Sequence, residues 1–344
     1  MSAQETEVND SDPLQRGDKV LLALGGGAAR GLAHIGVIHV LREEGIEIAG
    51  IAGTSIGSAI AAMVAADRLD EYEAQMKLMT RKGVLSMLDP VIPRSGLFAG
   101  GRITTLLRGI IADKKIEDCE IPYVAVAAEL ESGEEVWIKS GDLVDAVRAS
   151  SSIPGIFTPV HHHGQWLIDG GISSPVPFAA AAAIAHLPVI AVDVNDQKNG
   201  PPSGVPSDEP EEAIESQPSK LERLLASEQI HPFLRQFAER TLATGNSATE
   251  RLTTEVRRMR KKLSTPSLDS PPRAPGMIDS LTETTIAIQR NLAACQRELH
   301  SPALMVIPKL QGVGLFDFHR AEELILEGER AARAALDQHR SNQS

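Results

Sequence analysis

The sequence has 344 residues, of which 42% are hydrophobic and 23% are charged, a balance typical of a globular protein with a sizeable core. Its net charge of −12 argues against a general nucleic-acid-binding protein, because phosphate contacts need a concentrated basic surface. The two cysteines, Cys119 and Cys295, provide no disulfide framework and fit a reducing compartment. We therefore expect a cytoplasmic protein with no nucleic-acid partner.

The beginning of the chain and its most apolar stretch bear on membrane association. Residues 1–17 are polar and acidic, and they predict a disordered tail without a signal peptide. The most apolar stretch, residues 176–194, contains two prolines, a histidine and an aspartate. It predicts a helix followed by a buried strand rather than a membrane span. Peripheral contact with a membrane stays open.

Strands and helices alternate in the first part of the chain. Apolar runs at residues 20–24 and 46–52 predict strands, whereas residues 29–44 and 56–66 have the apolar spacing of helices. This alternation predicts a parallel sheet covered by helices on both faces, with ligands at the carboxyl ends of its strands. Later segments continue the pattern, with strands predicted at residues 121–129, 135–139, 166–168, 189–194 and 303–308.

A long insertion separates the last two of these strands. Proline-rich segments at residues 198–218 and 265–275 flank an amphipathic stretch at 221–263, and a helix is predicted at 277–299. The predicted domains are a tail (1–17), a catalytic domain (18–197), a helical insertion (198–300), and a final strand and helix (301–340). The basic run at 257–262 predicts contact with anionic lipid, against the alternatives of core packing or a dimer contact.

Two glycine-rich stretches follow the first two strands, and both lead into helices. Residues 53–57, GTSIG, have the G-x-S-x-G pattern in which a strained turn exposes a serine hydroxyl as a nucleophile. Residues 25–31, GGGAARG, leave free N–H groups at the start of a helix, where they can face an anion. A nucleophile beside an oxyanion site indicates acyl transfer.

Each motif also has a simpler explanation when it is taken alone. G-x-S-x-G occurs by chance in chains rich in alanine and glycine, and the Asp-Gly-Gly at residues 169–171 is a common turn sequence. The glycine loop suggests a dinucleotide fingerprint, but Arg30 stands where that fingerprint has glycine or alanine. All three motifs follow predicted strands, and together they favour catalysis.

These motifs, in this order, resemble those of the patatin-like phospholipase family. The resemblance covers roughly residues 19–194, and residues 317–323, DFHRAEE, are similar to bacterial members. It implies a three-layer α/β/α patatin-like fold with a mostly parallel central sheet and a helical insertion. It also implies a Ser-Asp dyad without histidine, in which Ser55 is the nucleophile and Asp169, with a reference pKa of about 3.9, takes its proton.

The resemblance further assigns the surroundings of the dyad. Backbone N–H groups around Gly26, Gly27 and Ala28 form the oxyanion hole, and Arg30 holds the loop or contacts a phosphate. Many relatives have glycine where this chain has Ala28, a replacement that is tolerated if the backbone at Ala28 keeps a negative φ. Gly31 is assigned, like Arg30, to loop support or phosphate contact. The other predicted site residues are the motif glycines: Gly25, Gly53, Gly57, Gly170 and Gly171.

The predicted function is hydrolysis of fatty acyl esters of phospholipids or lysophospholipids through an acyl-serine intermediate. One alternative is a Ser-His hydrolase or an acyltransferase that uses His186 or His319. Another is a catalytically silent lipid- or nucleotide-binding protein. No cofactor or metal is expected, because the consecutive histidines at 161–163 would point to opposite faces of an extended segment. The oligomeric state stays open.

Overall fold

The strands are short apolar segments that end at glycines, prolines or polar turns. The computed structural model describes residues 14–91, 96–196 and 277–342. Its strands are β1 (Lys19–Leu24), β2 (Glu47–Thr54), β3 (Gly96–Phe98), β4 (Tyr123–Glu129), β5 (Glu135–Ile138), β6 (Gly155–Phe157), β7 (Val160–His162), β8 (Gln165–Asp169), β9 (Val189–Val192) and β10 (Leu304–Val306).

Some of the helices begin or end at residues that satisfy their terminal backbone groups. The helices are α1 (Ala33–Glu44), α2 (Ile56–Ala65), α3 (Leu69–Lys77), α4 (Arg81–Met87), α5 (Gly101–Ile111), α6 (Leu143–Ser150), α7 (Phe178–Ala182), α8 (Met277–His300) and α9 (Ala321–Asn342). For example, the Thr80 hydroxyl accepts the N–H of Gly83 at the start of α4, and α1 ends at the left-handed Gly45. None of the described helices is long and apolar enough to cross a bilayer.

Neighbouring strands of the main sheet are parallel in the order β10-β9-β1-β2-β4, as the alternation of strands and helices predicts. Strands β5 and β8 pair antiparallel with β4, and β7 forms a hairpin with β8. Strands β3 and β6 form a separate small sheet. The prediction of a three-layer fold around a mostly parallel sheet is confirmed.

Strand β4 pairs with β2 and β8 along the same edge. Strand β5 occupies the opposite edge of β4 over Ala125–Ala128, so both other partners must share the remaining edge. Along it, Thr54 at the end of β2 pairs with Val126, and Asp169 at the end of β8 pairs with Ala127. Strands β2 and β8 therefore run toward each other and meet end to end.

Side chains of the parallel strands alternate between two hydrophobic cores, one on each face of the sheet. In β1, Leu22 and Leu24 belong to the core that includes α1, α2 and α9, whereas Ala23 belongs to the core that includes α7 and α8. Strands β2 and β9 contribute Ala52 and Ala191 to this second core. The small side chains on that face leave room for α7 to lie close to the sheet.

The N-terminal tail ends earlier than the sequence predicts. Leu14 is buried in the core, and the Gly17 N–H donates to the carbonyl of Gly45 at 2.9 Å. The end of the predicted tail, from residue 14, therefore belongs to the fold, whereas residues 1–13 lie outside the described residues.

Helix α8, which the sequence places at the end of the insertion, packs on the catalytic unit. Its Ala293 lies in the second core, and its His300 stacks on Phe178 of α7 with ring centroids 6.1 Å apart. The rest of the predicted insertion, including the basic run at 257–262, lies outside the described residues. The predicted boundaries there stay predictions.

Helices α1 and α9 cross at Gly36 and Gly328, where each glycine touches the backbone of the other helix. A Cβ at Gly36 would overlap the carbonyl of Ile325, and a Cβ at Gly328 would overlap the carbonyl of Ala33. The absence of side chains at both positions therefore sets how closely the last helix packs on the first.

We predict that Gly328→Ala destabilises the protein by about 1–3 kcal/mol, because the added methyl forces the two helices apart. Gly109→Ala in α5 is the matched control, since a Cβ there meets no atom within 4 Å. Removing an exposed helical glycine should stabilise the protein by about 0.5–1 kcal/mol. Urea unfolding of both variants tests this prediction, and shifts of the same sign would contradict it.

Candidate active site

Ser55 lies in a strained turn between β2 and α2. Its φ of 55° and ψ of −125° form a conformation that residues with side chains rarely adopt. Such strain persists only where the surrounding packing enforces it, and it collects at functional sites. The turn is tight because Gly57 packs directly on β1, where a Cβ would overlap the carbonyl of Leu24. The G-x-S-x-G sequence thus folds into the turn that its pattern predicts.

The backbone of Ser55 is held by Ser150, a residue that sequence analysis misses. The Ser55 N–H donates to Ser150 Oγ at 2.9 Å, and the Ser150 hydroxyl donates to the carbonyl of Val126 in β4 at 2.6 Å. Ser150 is the last residue of α6 and is fully buried. No local pattern distinguishes a serine in this position from an ordinary helix end, so the contact is visible only in three dimensions.

Asp169 lies beside Ser55 at the end of β8. Its Oδ1 accepts the N–H of Gly171 at 2.8 Å, and Oδ2 is buried with no hydrogen-bond partner among the described residues. The Ser55 hydroxyl is close enough to lower the pKa of Asp169, although the contact falls short of a regular hydrogen bond. The carboxylate therefore has an unused acceptor oxygen next to the serine.

Burial dominates the electrostatics of Asp169. It raises the pKa of this carboxyl to about 6, while the Ser55 hydroxyl and the Gly171 N–H oppose the rise. The ordinary pKa of about 3.9 expected from sequence is therefore corrected upward. A pKa near 6 leaves the carboxylate mostly ionised at pH 7 and makes it a stronger base than an exposed aspartate.

The N–H groups of the glycine loop, residues 25–31, differ in what they bind. The Gly26 N–H donates to the carbonyl of Pro175 at 2.9 Å, which corrects the prediction that Gly26 is an oxyanion donor. The N–H groups of Gly27 and Ala28 have no acceptor within the described part of the chain. Ala28 has a φ of 49°, so the condition of a negative φ is not met, and Ala28 is a second strained residue beside Ser55.

Arg30 and Asn195 hold the glycine loop from behind. Arg30 is buried and donates from Nε to the carbonyl of Val313 at 3.0 Å and from Nη1 to Asn195 Oδ1 at 3.1 Å. The Asn195 Nδ2 donates in turn to the carbonyl of Gly26 at 2.9 Å. Burial lowers the pKa of Arg30. Of the two roles predicted for Arg30, these contacts fit loop support, and Asn195 is a partner that no motif identifies.

The other glycines of the three motifs pack around Ser55, Asp169 and the glycine loop. Gly25 and Gly31 lie against Val192 and Ile56, whereas Gly53, Gly170 and Gly171 lie against Gly57, Val126 and Gln289. The carbonyl of Gly25 also accepts from the buried His34 at 2.8 Å. Burial lowers the pKa of His34 to about 4, so this histidine is neutral and supports the loop.

The histidines considered for a Ser-His enzyme do not contact Ser55. His186 is exposed before the start of β9, at the edge of the parallel sheet opposite to Ser55. His319 accepts a hydrogen bond from Arg81 Nε at 3.0 Å, and its Nδ1 lies 4.0 Å from an Asp317 oxygen. Of the three consecutive histidines at 161–163, His161 contacts the ring of Trp166 in the β7–β8 hairpin.

Two cavities meet at Ser55, and both are also lined by Ala28. The first has a volume of about 150 Å³ and is almost wholly apolar. Its lining includes Met76, Met79, Val84, Met87, Leu107, Phe157 and Phe318. The second has a volume of about 240 Å³ and is lined by polar groups as well, including Asp169, Asn195 and Gln289. The serine thus separates an apolar compartment from a more polar one.

Comparison with known families identifies the domain that carries this site. Residues 22–182 match the patatin family, described as patatin-like phospholipase. This part of the chain is a patatin-like phospholipase domain. The matched range begins in β1 and ends at the end of α7, so it contains the glycine loop, the Ser55 turn and Asp169.

Curated relatives match a similar share of the chain. An uncharacterized NTE family protein of Mycobacterium tuberculosis is 44% identical over 183 residues, which is 53% of this chain and 51% of that protein. Patatin-like phospholipase domain-containing protein 6 of Homo sapiens is 35% identical over 187 residues, 53% of this chain and 14% of that protein. The chain thus matches about half the length of the mycobacterial relative and a smaller share of the human one.

We predict that Asp169→Asn stabilises the fold at pH 8 by about 3 kcal/mol, since wild type then keeps a buried charge that the amide lacks. A folded-state pKa of about 6 means that wild-type stability is greatest below the unfolded-state pKa and falls as pH rises toward 6. The advantage of Asp169→Asn should therefore shrink between pH 6 and pH 4. Urea unfolding at several pH values measures it.

Asp70→Asn is the control for this measurement, because the Asp70 side chain is 85% exposed. It should leave the pH dependence of stability unchanged. A constant stability difference between wild type and Asp169→Asn across this pH range would contradict the buried ionised carboxylate.

Proposed function

We propose that this protein hydrolyses fatty acyl esters of phospholipids or lysophospholipids, with Ser55 as nucleophile and Asp169 as its base. The observation that carries the proposal is the unused, buried Oδ2 of Asp169 beside a strained serine at the mouth of an apolar cavity. Nucleophilic catalysis needs these parts together: a hydroxyl that lines a cavity, an adjacent base and space for the acyl group.

In the acylation step, the Ser55 hydroxyl transfers its proton to Asp169 Oδ2 as Oγ attacks the carbonyl carbon of the ester. The new C–O bond makes a tetrahedral oxyanion, which the unpaired N–H groups of Gly27 and Ala28 are free to bind. When the intermediate collapses, the ester C–O bond breaks and Asp169 returns the proton to the departing alcohol. The acyl group stays on Ser55.

Deacylation repeats this sequence with water as the nucleophile. Water gives a proton to Asp169 and attacks the acyl carbon, and collapse of the second oxyanion returns the proton to Ser55 Oγ. The raised pKa of Asp169 suits both halves of the cycle, because a carboxyl group that titrates near 6 can accept and release a proton at neutral pH. The free fatty acid then leaves.

The two cavities suggest where the two parts of the substrate bind. The apolar cavity offers methionine and aromatic side chains to an acyl chain, and burial of that chain favours binding. The second cavity offers Asn195 and Gln289 amides to the alcohol part of the ester. Asp169 lines this second cavity, on the side where the departing alcohol needs its proton.

We predict that Ser55→Ala and Asp169→Asn each lower kcat/KM at least ~1,000-fold, and that the double variant loses no more than the worse single one. The losses should not add, because the two groups act in one proton transfer. Hydrolysis of a soluble p-nitrophenyl ester measures this. A folded Asp169→Asn protein with nearly full activity would show that another group is the base.

Histidine variants are the matched controls for the base. His186→Ala and His319→Ala should each retain activity within about tenfold of wild type, because neither side chain contacts Ser55. Loss of single-turnover acylation in either folded variant would favour the Ser-His alternative. Labelling of Ser55 by a fluorophosphonate in wild type tests the catalytically silent alternative.

We also predict that kcat/KM rises with pH through about 6 and levels off near pH 7, because only ionised Asp169 accepts the serine proton. Below pH 6 the rate should fall about tenfold per pH unit. His319→Ala should show the same profile as wild type. A profile that is flat from pH 5 to pH 8, or one that shifts in His319→Ala, would be inconsistent with Asp169 as the titrating group.

A further inference from the structure

Exposed leucines and cations occur together at the start of α4. Leu78 is 76% exposed and Leu85 is 67% exposed. Arg81 and Lys82 are exposed between them, and they precede Leu85 by four and three residues in the same helix. Residues at this spacing share one helix face, so apolar and positive groups are presented side by side. These four residues are called the rim patch below.

The rim patch borders the apolar cavity that leads to Ser55. Met79, Val84 and Met87 alternate with its members along the chain and line that cavity. Phe316 directly precedes the short helical turn at residues 317–320, which contacts α4. Phe316 also lines the cavity and is 41% exposed. The exposed apolar surface is therefore continuous with the compartment proposed for the acyl chain.

No carboxylate among the described residues pairs with the cations of the rim patch. Arg81 donates from Nε to His319, and Lys82 has no hydrogen bond or ion pair in the described ranges. Arg102 adds a third cation beside α4, where its guanidinium donates to the carbonyl of Ser86 at 2.5 Å. In a chain with a net charge of −12, three cations therefore lie beside the exposed apolar side chains.

We propose that the rim patch docks on an anionic lipid surface and presents the cavity mouth to it. Leu78 and Leu85 enter the boundary between headgroups and acyl chains, where their burial is favourable. Arg81 and Lys82 contact the headgroup phosphates. An acyl chain then passes from the lipid into the cavity without crossing water. The purpose of docking rests on the proposed function, but docking itself needs no catalysis.

The test compares two double variants in the full-length Ser55→Ala protein, which cannot consume the lipid. Leu78→Ser/Lys82→Glu alters the rim patch. Leu299→Ser/Lys19→Glu makes the same residue replacements outside the rim patch, near the end of α8 and at the start of β1, and Leu299 is 79% exposed. Cosedimentation with phosphatidylcholine vesicles, with and without phosphatidylglycerol, measures binding without any need for activity.

We expect the parent to bind the anionic vesicles at least about tenfold more tightly than the neutral ones, since each charge near such a surface contributes about fivefold. The rim variant should lose at least about tenfold in affinity for anionic vesicles, whereas the control variant should change less than about twofold. Equal losses in both variants, no loss in the rim variant, equal binding to both vesicle types, or no binding by the parent would each overturn the proposal.

The same two pairs of substitutions in protein that retains Ser55 separate docking from chemistry. Hydrolysis of a soluble short-chain ester should be unchanged in the rim variant, because no rim residue contacts the reacting atoms. Loss of that activity in the rim variant alone would overturn the assignment to docking. If neither wild type nor any variant hydrolyses the ester, the proposed function fails while the vesicle result still stands.

Discussion

Strand β4 is the constraint on which the active site depends, because both strands that end at the proposed dyad pair with the same edge of it. Thr54, next to Ser55, and Asp169 pair with neighbouring residues, Val126 and Ala127. The ladder therefore fixes their separation before any side chain contributes. A slip of one residue in either pairing would turn the strand's side chains to the opposite face. Placement of the base beside the nucleophile is thus a matter of sheet register.

Several features that lower the stability of the fold occur together where β2 and β8 meet. Ser55 and Ala28 have positive φ angles, and Asp169 carries a charge that burial disfavours. Contacts outside the dyad hold two of these residues: Ser150 accepts the Ser55 N–H, and the Gly171 N–H donates to Asp169. Without these two strained backbone conformations and this buried charge, the protein would be more stable. Their persistence indicates that the surrounding core, not the local sequence, maintains the geometry.

Local sequence patterns predict much of this fold, but they predict few of the distant residues that hold the site in place. The alternation of strands and helices and the G-x-S-x-G turn are local, and the structure contains both. The partners of the site are distant in sequence: Ser150 lies 95 residues from Ser55, and Asn195 lies 169 residues from Gly26. The Gly26 N–H was expected to be free because nothing near it in sequence shows that Pro175 binds it. The pKa of Asp169 likewise depends on burial by elements that no motif describes.

The contacts that hold the glycine loop form late in the synthesis of the chain. The Arg30 side chain donates to the carbonyl of Val313, 283 residues later, and the Ala29 N–H donates to that of Leu315. The ribosome synthesises Ser55 and Asp169 long before residues 313–315, so during much of translation the glycine loop beside the proposed dyad lacks these contacts. The loop therefore gains these contacts only after residues 313–315 have emerged, so the proposed site is assembled late in synthesis.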